Sequence, residues 1–185
     1  KSYGIYQIYQ SKYSSHVYII FDKRSREACL IDADLDNADY YISFIKKSNL
    51  KISFALDTHL HSDHISGLKY LRKKKIKTVM GFSENVKDIV SCLVKDGDFM
   101  SLGKQKILAL HTPGHTEDSY CFYLNNELFT GDTLLINGTG RTDLKTGSAD
   151  SLYKSLNNKI LNLKKETIIF PSHDYNRKKF SILKN

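Results

Sequence analysis

The chain has 185 residues, of which 41% are hydrophobic and 26% are charged, and its formal net charge is +8. This size and composition correspond to one globular domain, and only two prolines and ten glycines exclude collagen-like and linker-type sequences. The longest apolar run lies near residues 17–21 and is far too short to cross a bilayer. We therefore expect a single folded domain over residues 1–185 and no membrane partner.

The positive charge comes mostly from lysines that are scattered along the chain, apart from one basic cluster at residues 72–75. Nucleic-acid-binding proteins concentrate basic residues on one face, so the pattern favours a solvated lysine surface and no nucleic-acid partner.

Three cysteines, an odd number, lie in apolar stretches, which favours reduced thiols in an intracellular protein. A targeting segment would precede Lys1. We expect the mitochondrion in a eukaryote and the cytoplasm in a bacterium.

Strands dominate the first third of the predicted structure. Alternating and β-branched runs predict strands at 4–10, 17–22 and 27–32, the last two joined by a hairpin at Arg24-Ser25. Ala38, Tyr41 and Ile45 share one helical face and predict a helix over 36–47. A strand at 51–57, a helix at 65–74, a strand at 77–80 and a short helix at 86–93 follow.

The second half begins with a turn-rich hairpin between Gly97 and Gly103 and a strand at 106–111. Asn125-Asn126 joins two strands at 119–124 and 127–130, a hairpin signal. A helical pattern covers 148–161, and a final apolar strand covers 166–170. This order of elements predicts an α/β sandwich in which helices cover two packed sheets.

Three histidines and one aspartate fall within six residues directly after the strand predicted at 51–57. Alternate side chains of an extended segment share one side, so His59, His61 and Asp63 point the same way. His64 departs from this row where the next helix begins. Imidazole and carboxylate groups are metal ligands, and this density of them predicts a metal site, although Asp63 alone could be a helix N-terminal acid.

Further candidate ligands follow three later strands. His115 comes after a Pro-Gly turn, Asp132 follows the strand at 127–130, and His173 follows the last strand. Four strand ends can therefore bring histidine and carboxylate groups to one edge of the sandwich, for one metal ion or two. His111 precedes the turn and is the weaker candidate, and His16 is expected to be an ordinary hydrogen-bonded histidine.

The run from His59 to His64, together with His115, Asp132 and His173, resembles the metallo-β-lactamase fold superfamily. The match extends from about the first strand to His173. The resemblance implies an αββα sandwich, which is an α/β fold of two mixed β-sheets covered by helices, with the metal site at one edge of the sheets. This agrees with the elements predicted from the pattern.

Residues within the motifs separate the branches of that superfamily. The best-known β-lactamases place a cysteine where Asp132 stands, which argues against them. Glyoxalase II enzymes carry a long helical domain after the last histidine, whereas this sequence ends twelve residues after His173. The stretch at 130–143, with its Gly-Thr-Gly-Arg-Thr-Asp run, and His173-Asp174-Tyr175 closely resemble the persulfide dioxygenase family, although the C-terminal tail is short.

The resemblance implies one Fe(II) per chain, held by two histidines and one aspartate that correspond to His59, His115 and Asp132. We call these three residues the first position. In hydrolytic relatives, a second position would hold another metal ion, and in the one-iron branch it would stay without metal. Its residues are His61, Asp63, His64 and His173.

Four residues are expected to act on the substrate or on the ligands around it: Arg141, Tyr175, His64 and His173. His64 and His173 would orient ligands and water, and Tyr175 would hydrogen-bond near the persulfide. Arg141 would hold the glutathione end, because its guanidinium matches a carboxylate; a salt bridge with Asp143 is an equal alternative.

The implied reaction converts glutathione persulfide, O2 and water into sulfite and glutathione, with a sulfurtransferase as a possible partner and a homodimer as the expected assembly. The alternative is a dinuclear thioesterase of glyoxalase II type, a hydroxyacylglutathione hydrolase, in which zinc could occupy the site and activate a water molecule. A nuclease of the same fold is disfavoured because no inserted domain is visible in the sequence.

Overall fold

The computed structural model describes residues 1–83, 86–175 and 178–183 and contains two six-stranded sheets. The first sheet has its strands in chain order: β1 (Tyr3–Gln10), β2 (Ser15–Asp22), β3 (Glu27–Ile31), β4 (Lys51–Leu56), β5 (Lys77–Gly81) and β6 (Cys92–Val94). The pairs β1–β2 and β2–β3 are antiparallel, and the pairs from β3 to β6 are parallel.

The second sheet is ordered β12-β11-β10-β9-β8-β7. Its strands are β7 (Phe99–Leu102), β8 (Gln105–His111), β9 (Tyr120–Leu124), β10 (Glu127–Gly131), β11 (Ile168–Pro171) and β12 (Ser181–Ile182). All neighbours are antiparallel except β10 and β11, which are parallel. Both sheets are therefore mixed.

Helices lie on the outer face of each sheet. The helices are α1 (Ala38–Lys47), α2 (Leu68–Lys73) and α3 (Ala149–Ser155), which continues into a π-helical turn at Leu156–Ile160. Alternate residues of β2 face opposite ways: Tyr18 and Ile20 belong to the core between the sheets, whereas Val17 and Ile19 belong to the core under α1 and α2. A third core packs Ile160 against the second sheet. The predicted αββα architecture is confirmed.

Two predicted elements were wrong. The helix predicted at 86–93 is absent from the described residues 86–93: Val86 and Val90 do pack into the helix-side core, but the chain then extends into β6, which pairs with β5. The strand predicted to be last is followed by β12, which pairs with β11. In both places the hydrogen-bond partner is a strand distant in sequence, which local periodicity does not report.

Three other elements differ in detail. The helix predicted from residue 65 begins at Leu68, because the carbonyl of Ile65 accepts a hydrogen bond from Leu35 N instead of starting a turn. The helix predicted over 36–47 begins at Ala38, and the side chain of its N-cap residue, Asn37, bonds Asp34 and not the helix. The helix predicted at 148–161 widens into the π turn at its end. No helix among the described residues is long and apolar enough to span a membrane.

Candidate metal centre

The segments that follow β4, β8, β10 and β11 meet at one edge of the sandwich and are tied together by backbone hydrogen bonds. Tyr120 N donates to Thr58 O at 2.8 Å, which joins β9 to the histidine-rich segment. Ser172 N donates to Gly131 O at 3.0 Å, and Gly140 N donates to Asp132 O at 2.8 Å. The ligand-bearing segments thus follow strands of both sheets and are joined to one another by backbone hydrogen bonds.

The first position is brought together as predicted from the sequence. His59 Nε2 lies 3.8 Å and His115 Nε2 lies 3.5 Å from Asp132 Oδ2. The two imidazole rings are nearly perpendicular, with centroids 5.0 Å apart. All three residues are buried, and their three donor atoms lie within 4.8 Å of one another. This is the spacing of atoms that can share one ion.

The Nδ1 atom of each histidine has a hydrogen-bond partner, which leaves Nε2 to bind a metal ion. His115 Nδ1 lies 2.8 Å from the carbonyl of Arg141, and since a carbonyl only accepts, this nitrogen carries the proton. His59 Nδ1 lies 2.9 Å from Thr58 Oγ1. His59 Nε2 is buried and has no hydrogen-bond partner within the described part of the chain. Buried polar atoms are rarely left unpaired, and a bound metal ion would give this nitrogen its partner.

The charges at the first position suit a divalent transition metal. Burial and the neighbouring His61 lower the pKa of His59 to about 3, so its imidazole is neutral near pH 7. Burial by itself would raise the pKa of Asp132, but the hydrogen bond to His173 and the nearby His59 outweigh it and lower that pKa. Two imidazoles and one carboxylate fit iron, zinc and related ions.

The residues of the second position also meet, but mostly through bonds to carboxylates. His64 Nδ1 and His173 Nε2 lie 3.0 and 3.2 Å from Asp63 Oδ2, and His173 Nδ1 lies 2.7 Å from Asp132 Oδ1. Burial lowers the pKa of His173, yet its bonds to Asp132 and Asp63 raise it to about 10 overall. His173 therefore links the two positions as a cation between two carboxylates.

His61 contacts the second position as well as a buried carboxylate: its ring stacks on that of His64, with centroids 4.2 Å apart, and one of its nitrogens lies within 4.8 Å of ligand atoms of Asp63 and His64. Its Nε2 lies 3.3 Å from Asp32 Oδ1, and Asp32 and Asp57 can form a further group with it. Its other nitrogen, Nδ1, and His64 Nε2 are buried without a hydrogen-bond partner among the described residues. These two nitrogens are the ones that remain available for a second ion.

Tyr175 lies at the rim of the site. Its side chain is exposed and its ring stacks on His173, with centroids 5.9 Å apart and an interplanar angle of 10°. Partial desolvation of its hydroxyl and the charges of Asp132 and Asp63 raise the pKa of Tyr175, so the phenol keeps its proton.

Arg141 contributes two different groups. Its guanidinium forms a bidentate pair with the Asp143 carboxylate at 2.6 and 2.8 Å, and both side chains are exposed. The guanidinium thus forms the salt bridge that was one of the two roles expected for it, the other being a contact with the substrate. Its carbonyl oxygen orients His115, a contribution that no side-chain pattern could have indicated.

Sequence analysis missed several supporting residues. Asp32 is completely enclosed and bonds Thr58, His61 and Ser172. It is the last residue of the strand predicted at 27–32, much as Asp132 closely follows the strand predicted at 127–130, and that signal could have identified it. Burial raises the pKa of the adjacent buried Asp57 to about 7.

The two remaining histidines lie outside both positions. His111 Nε2 contacts Glu117 O at 2.9 Å, and its ring packs against Tyr120. His16 is buried beside Asp174, lines a cavity of about 470 Å3, and neither ring nitrogen has a hydrogen-bond partner within the described residues. The expectation that His16 is an ordinary hydrogen-bonded histidine was therefore wrong, because even the nearby carboxylate oxygen, Asp174 Oδ2, lies 3.9 Å from its Nε2, beyond hydrogen-bond distance.

Comparison with known proteins agrees with this geometry. Residues 12–173 match the metallo-beta-lactamase superfamily, so the chain belongs to that superfamily. Within it, the chain is similar to "Persulfide dioxygenase ETHE1, mitochondrial" of Bos taurus, with 36% identity over 171 residues, covering 91% of this chain and 67% of the relative. The resemblance to the persulfide dioxygenase branch is thereby confirmed.

Two further relatives carry the names of two different enzymes. The crystal structure of ETHE1 from Myxococcus xanthus superposes with a TM-score of 0.92 at 35% identity, covering 97% of this chain and 80% of that chain. The hydroxyacylglutathione hydrolase of Pelagibacter ubique is 34% identical over 175 residues, covering 92% of this chain and 71% of the relative. The chain thus spans about two thirds of the length of the curated relatives it matches.

Proposed function

We propose that this chain is a persulfide dioxygenase that oxidises glutathione persulfide at one non-haem Fe(II) ion. The observation that carries the proposal is the convergence of His59, His115 and Asp132 on one small volume, with His59 Nε2 buried and unpartnered within the described residues. Two histidines and one carboxylate are the ligand set of non-haem iron oxygenases. The similarity to proteins named persulfide dioxygenase supports the same assignment.

Iron fits the proposed reaction better than zinc does. Fe(II) would supply the redox activity that lets dioxygen react with the persulfide, whereas zinc has no accessible redox change. Glutathione persulfide, O2 and H2O would give glutathione and sulfurous acid, which ionises to sulfite. The sulfur–sulfur bond breaks, the outer sulfur loses four electrons, and dioxygen accepts those four electrons.

The second position supports the use of one ion rather than two. His173 holds both Asp63 and Asp132 through its two nitrogens, and His61 is turned toward Asp32. A second ion would need His173 to release Asp63 and to lose the proton that its bonds to two carboxylates stabilise. In the proposed enzyme these groups instead fix the orientation of Asp132, because its Oδ1 is bound and its Oδ2 faces the first position.

Two exposed groups would bind the substrate in this proposal. The Tyr175 hydroxyl keeps its proton and can donate a hydrogen bond to the persulfide sulfur, while the ring's stacking on His173 limits its motion. Arg141 would release Asp143 and bind a carboxylate of glutathione in its place. Breaking the Arg141–Asp143 salt bridge costs little free energy because both side chains are exposed to water.

The decisive experiment combines metal analysis of anaerobically purified protein with an oxygen-electrode assay on glutathione persulfide. We expect one iron per chain and oxygen uptake coupled to sulfite formation. The variant Asp132→Ala should lose iron and oxygen uptake together. An undiminished iron content in that variant would overturn the ligand assignment, and two metal ions per chain without oxygen uptake would overturn the dioxygenase.

A thioesterase is the second candidate, because the Pelagibacter ubique relative is named for hydroxyacylglutathione hydrolysis and because two nitrogens, His61 Nδ1 and His64 Nε2, remain without partners among the described residues. Two bound zinc ions and hydrolysis of a hydroxyacylglutathione thioester, measured on the same preparation, would favour it.

A further inference from the structure

A chain of three side chains connects the first position to a buried carboxylate behind it. His59 Nδ1 lies 2.9 Å from Thr58 Oγ1, which lies 2.9 and 3.1 Å from the two oxygens of Asp32. All three residues are at most 3% exposed. Bulk water is therefore a poor partner for these groups, and their hydrogen bonds must be satisfied by neighbouring protein groups.

Counting donors and acceptors fixes the direction of both bonds. Asp32 also accepts hydrogen bonds from the backbone N–H of Thr58 at 2.7 Å and from the hydroxyl of Ser172 at 2.7 Å. A carboxylate surrounded by donors is ionised and can only accept. The single hydroxyl proton of Thr58 is consequently used by Asp32, and the Thr58 oxygen is left as an acceptor. His59 Nδ1 must therefore carry the proton that this oxygen accepts.

We propose that Thr58 is a positioning residue for the metal. Its hydroxyl donates to Asp32, so its oxygen accepts a hydrogen bond from His59 Nδ1 and holds His59 in the Nδ1–H tautomer. The Nε2 lone pair of His59 is then directed at Asp132 and His115. The inference rests on the proposed metal centre but not on the reaction catalysed there. Neutral histidines in solution exchange between tautomers, so without the Thr58 acceptor part of the population would present an Nε2–H to the metal.

The surrounding backbone is built to admit this hydroxyl. A Cβ atom on Gly131 would lie 2.5 Å from Thr58 Oγ1 and 3.3 Å from His59 Nδ1, and the residue has a φ of +54°. Glycine at this position thus allows β10 to pass close to Thr58. His115 needs no intermediate hydroxyl, because the carbonyl of Arg141 accepts a hydrogen bond from its Nδ1 and fixes its tautomer directly.

The test compares Thr58→Val, which removes the hydroxyl at nearly constant volume, with the conservative Thr58→Ser. Thr78→Val is the matched control, because the buried Thr78 hydroxyl likewise makes two hydrogen bonds, both to Ser91, but lies in β5 away from the ligands. Competition with a chromophoric chelator, as Co2+ is titrated into metal-free protein, measures the affinity for the metal. Urea unfolding measures the stability of each variant. Long-range 1H–15N spectra at mildly alkaline pH report the tautomer of His59.

We expect Thr58→Val to weaken Co2+ binding about ten- to a hundred-fold, the usual effect of removing a group that supports a metal ligand. Thr58→Ser should keep wild-type affinity, and Thr78→Val should lose stability but not affinity. Wild-type affinity in Thr58→Val, an equal loss in Thr78→Val, or an Nε2–H tautomer of His59 in the wild type would each overturn the inference. A wild-type chain that binds no Co2+ would overturn the metal centre itself.

Discussion

Replacing Gly140 by alanine should damage the metal centre although no ligand residue is replaced. A Cβ atom there would lie 2.3 Å from the backbone oxygen of Asp132 and 2.7 Å from His115 Nδ1, whereas ordinary contacts begin at 3.4 Å. One of these groups must therefore move by about 1 Å, and the 2.8 Å hydrogen bond from Gly140 N to Asp132 O is weakened. Metal–ligand distances tolerate deviations of only about 0.2 Å.

A displacement of this size should lower turnover about a hundred-fold and cost about 1–3 kcal/mol of unfolding free energy, as overpacking does. The assay is metal content after anaerobic purification, followed by oxygen uptake and urea unfolding. Gly138→Ala is the matched control in the same loop, because a Cβ there meets no atom within 4 Å. Full metal content and turnover in Gly140→Ala, or equal damage in Gly138→Ala, would refute this reasoning.

Two more predictions concern charges. Arg141→Ala should raise KM more than it lowers kcat if the arginine binds substrate, and Asp143→Ala should leave KM unchanged or lower it by freeing the guanidinium; a parallel rise in both variants would show that only their salt bridge matters. Hydrogen bonds from Gln105 and from backbone N–H groups, that of Ser25 first among them, lower the pKa of the buried Asp22 from 3.8 to about 2. Its charge therefore contributes about 2 kcal/mol above pH 4 that is lost as the pH falls toward 2. The stability deficit of Asp22→Asn in urea should shrink between pH 7 and pH 3, and a constant deficit would contradict the assignment.

The sequence determined the elements whose signal is local. β2 is recognisable because its β-branched run is buried on both faces, and the β9–β10 hairpin because Asn125 adopts the positive φ that asparagine tolerates. The histidine-rich segment was equally clear, because three imidazoles and a carboxylate within six residues are typical of a metal site. Chemistry and spacing therefore indicated a metal site, and the resemblance of these motifs to a known family implied which three residues form the first position.

The tertiary structure decided everything that depends on a partner far along the chain. β6 forms instead of a helix because β5 offers it a parallel neighbour. Asp32 becomes part of the centre because Thr58 and Ser172, 26 and 140 residues away, bring their hydroxyls to it.

The orientation of the ligands belongs to the same class of information. Which nitrogen of His59 or His115 faces the metal is set by a hydroxyl and a carbonyl that no sequence pattern marks as functional. The sequence shows which hydrogen-bonding groups are available. Folding buries these groups and removes water as an alternative partner, so that each donor is left with the acceptor that the fold places beside it.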